Sequence, residues 1–172
     1  MSINAATRGG IVPRSIRPAG RTIAILITLL SGVVLAAARM PAPGDACSLL
    51  TKEDAAAALG EPAMGPKAKG PLPSGDGATV STCGYTGSGI HSIKLTLMRL
   101  PANAVATYKG MCEQQSKDGL AGLGDVACWY NGKHGELHSI KGTAFLSIEL
   151  RGSGDPSQPI KAAMTRVLAH LK

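Results

Sequence analysis

Residues 137–150 read LHSIKGTAFLSIEL, and this stretch decides the fold. Ala144, Leu146, Ile148 and Leu150 alternate with Phe145, Ser147 and Glu149, the period of a strand that buries one face. Leu137 to Lys141 reads as a second strand, and only Gly142-Thr143 separates the two. Strands joined by so short a turn pair antiparallel.

Working outward from this hairpin, the same rules place the other elements. Towards the C-terminus, a helix starts near Pro159 and puts Ile160, Met164, Val167, Leu168 and Leu171 on one stripe. Towards the N-terminus, Asn131-Gly132 is a turn signal. Before it, Val126, Cys128 and Tyr130 alternate with Ala127 and Trp129 as a third strand. A helix capped by Asn103 and ended by Gly119 carries Val105, Tyr108, Met111 and Cys112 on one face. Ile93, Leu95 and Leu97 alternate with Lys94 and Thr96 in a half-buried strand that Pro101 ends. Gly87-Ser88-Gly89 turns that strand back to a short one over Ser81 to Thr86.

Thr51 and Asp54 form a capping-box-like pair for a helix that runs to Leu59 and stops at Gly60 and Pro62. Residues 61–80, EPAMGPKAKGPLPSGDGATV, are too rich in glycine and proline for a core element and read as a long mobile loop. The order is helix, two strands, helix, three strands, helix. That predicts an α+β two-layer domain, an antiparallel sheet of about five strands with three helices packed on one face.

Compartment is read from the N-terminus. Thr22 to Ala38, TIAILITLLSGVVLAAA, is uncharged and follows Arg8, Arg14, Arg17 and Arg21 with no acidic residue between. Positive, then apolar, then small residues is the layout of an export signal. Cleavage after Ala38 fits Ala36-Ala37-Ala38. The apolar run of 17 residues also lies at the lower limit for a spanning helix, so an uncleaved anchor is the second reading. Either way residues 39–172 form one domain outside the cytoplasm, in the periplasm, envelope or extracellular space. Membrane attachment would run only through an uncleaved N-terminal segment. Cys47 lies well past the apolar run and lacks the flanking leucine of a lipidation site.

Charge excludes one function class. The chain carries a formal +7, but beyond residue 38 its 14 basic and 11 acidic residues leave +3. The basic residues are scattered, without a stripe interleaved with aromatics, so no nucleic-acid partner is expected. Aromatics are few, namely Tyr85, Tyr108, Trp129, Tyr130 and Phe145, so the core must be aliphatic.

The four cysteines, Cys47, Cys83, Cys112 and Cys128, are even in number, and an exported chain meets an oxidising environment. Three pairings are possible. Cys112 on the inward face of its helix and Cys128 on a strand both point between helix and sheet, which leaves Cys47 for Cys83. Without a C-x-x-C, zinc or redox exchange is a poor reading.

The remaining candidates for chemistry are sparse. His134 and His138 flank Gly135 in a hairpin region, where four residues span roughly 13 Å, so they read as surface histidines rather than metal ligands. His91 and His170 have no ligand-spaced neighbour. Gly87-Ser88-Gly89 and Gly152-Ser153-Gly154 are turns and not nucleophile elbows. Gly119, Gly122 and Gly124 precede a strand and make no phosphate loop. Asp125 reads as a strand-start aspartate without a catalytic partner. Of Trp129 and Tyr130, alternation exposes one. No catalytic, cofactor-binding or metal residue is assigned.

Three segments together carry a resemblance: Asp45-Ala46-Cys47-Ser48-Leu49-Leu50-Thr51 ahead of an alanine-rich helix, Cys83-Gly84-Tyr85-Thr86, and Gly122-Leu123-Gly124-Asp125-Val126-Ala127 before a strand with an aromatic. Their order resembles a family of small exported domains, frequent among bacterial cell-envelope lipoproteins and largely of unknown function. The resemblance spans most of residues 45–171. It implies an α+β sheet domain and a bridge between Cys47 and Cys83, and it implies no catalytic residues. The chain departs from it in lacking the lipid-attachment cysteine.

The expected function is therefore a non-enzymatic envelope domain that binds a protein or a small ligand, without a cofactor. A purely structural envelope protein and a secreted hydrolase or redox enzyme are the alternatives. A pocket on the sheet face left bare by helices would favour the first, and a cleft joining Asp125 to His134 or His138 the last.

Overall fold

The computed structural model describes residues 45–132, 134–152 and 154–171. The export segment, its cleavage site, and Ser153 of the second Gly-Ser-Gly turn lie outside these residues. The elements are α1 (Ala46–Leu49), α2 (Lys52–Leu59), β1 (Met64–Pro73), β2 (Thr79–Thr86), β3 (Ser92–Arg99), α3 (Val105–Glu113), β4 (Val126–Trp129), β5 (Glu136–Lys141), β6 (Ala144–Arg151) and α4 (Ser157–His170), with a short 3₁₀ turn at Tyr130–Gly132. The strands form one antiparallel sheet in the order β1-β2-β3-β6-β5-β4. The class is α+β, with six strands and four helices among the described residues.

Local sequence explains most element ends. The Asp45 carboxylate accepts from the Ser48 amide at 2.9 Å and starts α1. Thr51 and Asp54 close a capping box at the start of α2, and Gly60 ends it in the left-handed region at φ 72°. Ahead of α4, Asp155 accepts from the Ser157 amide at 2.9 Å. α3 has no such device: Ala104 occupies its cap without a side-chain bond, and the expected cap, Asn103, is exposed one residue earlier. α3 also ends at Glu113, well before Gly119.

The segment 61–80 departs from the expected loop. Met64–Pro73 is an edge strand on β2, with every residue exposed and two register shifts. An edge strand donates to one neighbour only, so Pro66 and Pro71 are tolerated at the two register shifts and Pro73 at the strand's end. At Gly70, φ is +92° and a Cβ would clash with the Val80 carbonyl oxygen, so no other residue fits this close approach. The strand itself buries no side chain, as composition foretold, but Ala63 and Ala78 on either side of it in the chain are buried, and the backbone pairing was not foreseen.

The two sheet faces are covered unequally. On the inner face, α1, α2 and α4 close over one large apolar cluster. Ile93, Leu95 and Leu97 of β3, Leu146 and Ile148 of β6, and Ile160, Met164 and Val167 of α4 are all 0–1% exposed within it. Removing that much aliphatic surface from water at about 25 cal/mol per Å² is the main stabilising term. On the outer face lies a second, smaller cluster: Cys112, Cys128 and Ile140, with Val105, Tyr108, Val126 and Phe145 partly buried against them. α3 therefore packs on the opposite side of the sheet from the other three helices, which corrects the expectation of all helices on one face. The cause is in β4, where Ala127 and Trp129 enter the main core while Val126 and Cys128 point the other way.

Both disulfides form as read from the sequence. Cys47–Cys83 has its Cα atoms 4.9 Å apart and sits inside the large cluster, tying α1 to β2. Cys112–Cys128, at 5.5 Å between Cα atoms, ties α3 to β4 in the small one. Both distances lie within the range such bridges require.

Candidate functional site: the outer face of the sheet

Antiparallel register lays the outward residues out in rows. Met98, Phe145 and Ile140 form one row, Thr96, Ser147 and His138 the next, and Lys94, Glu149 and Glu136 the third. α3 lies over Phe145 and Ile140 of the first row. At its margin opens a cleft of about 300 Å³ lined by Tyr108, Met111, Gln115, Tyr130, His138 and Phe145, with Cys112 and Cys128 also in its wall.

Four rings run along the cleft. Tyr108 meets Phe145 edge-on with ring centroids 5.3 Å apart, and Phe145 meets His138 edge-on at 4.9 Å. His138 in turn lies against Tyr130 at 4.8 Å. Such spacings are favourable ring contacts. Tyr130 is 44% exposed and Met111 50%, so two of the few large exposed apolar side chains are at this one place. Gathered apolar side chains, unlike scattered ones, mark a surface that something covers.

His138 holds a polar network beside the rings. Its Nε2 lies 3.0 Å from Glu136 Oε1, and the same oxygen accepts from Ser147 Oγ at 2.8 Å. Serine, glutamate and histidine are thus together, but the carboxylate stands between the other two. A nucleophilic triad needs the imidazole between hydroxyl and acid, so this arrangement orients the ring and does not activate the serine.

The two hairpin histidines part company. His134 is exposed against the ring of Trp129, 4.9 Å between centroids. His138, expected at the surface, has only 15% of its side chain exposed and lines the cleft. Alternation along β5 places His138 beside Cys128 of β4, which was the available signal. Of the aromatic pair, Trp129 is 1% exposed and Tyr130 is the outward one. Trp129 donates from Nε1 to the Asp118 carbonyl at 3.3 Å.

Asp125 is engaged elsewhere. It accepts from Lys109 Nζ at 2.9 Å and from the Gly142 amide at 3.1 Å. The Lys109 hydrogen bond, and then the Gly142 amide, hold its carboxyl below the usual range. It fastens the start of β4 to α3 and to the β5–β6 turn, and neither histidine is among its bonded partners. His91 lies 2.6 Å from Glu61, and His170 faces the Leu49 carbonyl at 3.0 Å. Among the described residues no three His, Cys, Asp or Glu side chains gather closely enough to hold a metal ion, and no helix is long and apolar enough to cross a membrane. Comparison with family models, curated proteins and solved structures finds no match.

Proposed function

We propose that residues 39–172 act as a non-enzymatic binding domain of the cell envelope, exported by the N-terminal segment, with the cleft at the edge of α3 as its binding site. The resemblance to small exported envelope domains agrees with this reading, and two disulfides suit an oxidising compartment. The observation that carries it is the continuous ring array Tyr108, Phe145, His138 and Tyr130 beside exposed Met111. Among the described residues that line the cleft there is no Asp, Glu, Lys or Arg, so its occupant is an uncharged apolar or aromatic group, from a small molecule or a partner's side chain.

Indole and phenol are suitable probes. Titrating the full chain with each should give saturable shifts in the ring signals of Tyr130 and Phe145, with the Phe145 shift abolished in Tyr130→Ala. Shifts spread over the whole surface without saturation, or unchanged by Tyr130→Ala, would contradict the assignment.

A further inference from the structure

A second opening lies on the same outer face, at the far side of the sheet. β1, β2 and β3 put Lys67, Gly84 and Lys94 side by side in register, and Lys69, Thr82 and Thr96 in the next row. Ser81, Cys83 and Tyr85 of β2 point into the core, so Thr82 and Gly84 point outward, and the register puts Lys67, Lys69 and Lys94 on that side. The middle strand thus has no side chain where the outer two carry lysines. The result is a trough of about 360 Å³ with Gly84 in its floor and Lys67, Lys69, Lys94, Thr82 and Thr86 around it.

Two features make the trough more than a gap between side chains. A Cβ at Gly84 would approach nothing closer than 3.8 Å, and the backbone there is not in the left-handed region. Neither packing nor conformation therefore requires glycine at this position, and a strand-interior glycine without such a need leaves space for something to approach the backbone. The charge is also unbalanced. Glu149 is shared between Lys94 and Arg151, at 2.5 and 2.6 Å. Among the described residues neither Lys67 nor Lys69 has an acidic partner.

We infer that this trough binds a phosphate-bearing ligand, the oxyanion lying over Gly84 beside Lys67 and Lys69, with Lys94, held by Glu149, on the far wall. Lysine ammonium groups act on a phosphate as point charges without demanding planar alignment. The hydroxyls of Thr82 and Thr86 supply neutral donors at the same site. Lysines on an edge strand also discourage edge-to-edge pairing. The prolines of β1 serve that end already, and Lys67 and Lys69 lean over the face.

The test uses the full chain with two probes, pyrophosphate in solution and vesicles of phosphatidylglycerol compared with phosphatidylcholine. Amide shifts of Thr82 and Gly84 should follow pyrophosphate and weaken as salt is raised. Lys67→Glu/Lys69→Glu keeps a charged edge but should weaken binding by about tenfold or more. Gly84→Thr fills the floor and should weaken binding with the melting temperature unchanged. Pyrophosphate binding identifies a free phosphate ligand. A lysine-dependent preference for phosphatidylglycerol without pyrophosphate binding identifies a lipid headgroup. The inference is overturned if the Lys67/Lys69 variant matches the wild type with both probes, or if the wild type shows neither response. The aromatic cleft is untouched by these variants, so its titration with indole separates the two sites.

Discussion

Phe145 and Leu146 are neighbours in β6 and belong to different regions of the molecule. Leu146 enters a core built by three helices and five strands, mostly aliphatic, with Trp129 and Tyr85 as its only rings. Phe145 enters a cluster of seven residues under one short helix. The inner face is closed and the outer face is partly open. α3 has one buried residue, Cys112, and no side-chain cap, so it is held by the Cys112–Cys128 bridge, by Tyr108 against Phe145 and by Lys109 on Asp125. The inner face is filled by packed side chains, and the outer face carries rings at one end and lysines at the other.

That contrast has consequences of graded size. Replacing Cys47 and Cys83 together by serine should have the largest effect. It opens a loop of 36 residues, worth about 4 kcal/mol by the loop-entropy estimate, and places hydroxyls inside the main core. Chemical denaturation should show a loss of that order in one cooperative step. Leu146→Ala should cost about 3 kcal/mol, while Phe145→Ala, only partly buried, should cost less than about 2. Equal losses at these two adjacent positions would break the comparison. Thr51→Ala removes one cap from α2 and should cost about 1 kcal/mol.

The smallest effect is electrostatic. Glu149 has its carboxyl held below the ordinary value, first by the Lys94 hydrogen bond and then by Arg151, against the opposing effect of burial. Its folded pKa is depressed, so its contribution is complete above the unfolded value of about 4.3 and is lost as pH falls through the folded one. Glu149→Gln should therefore cost less than about 1 kcal/mol at neutral pH, with the difference from wild type vanishing in acid. A thermal melt series from pH 7 to pH 3 reads this directly.

Much of the fold was legible because one-sided burial writes a period into the sequence. The alternation of residues 93–97 and 144–150, the stripe from Ile160 to Leu171, and the Thr51–Asp54 cap all correspond to elements found there. The cysteine pairing followed from helix and strand phase. The layer did not, because phase says which residues share a face and not which face a helix takes. Val126-Ala127-Cys128-Trp129 is apolar on both sides, so nothing in it sends α3 outward. β1 was missed for the opposite reason: an exposed edge strand buries no side chain and writes no pattern. The cleft was hidden because Tyr108, His138 and Phe145 come from three separate elements and meet only through the register.

The most direct test of the unequal faces is native-state hydrogen exchange on the Cys112→Ser/Cys128→Ser variant. Loss of that bridge, which closes a loop of 16 residues, should cost about 3 kcal/mol. Amides of α3 and the outer edge at β4 should then exchange much faster, while those of β2, β3, β6 and α4 keep most of their protection. A uniform loss of protection across all elements would contradict the account, because it would mean that α3 and the main core form one inseparable unit.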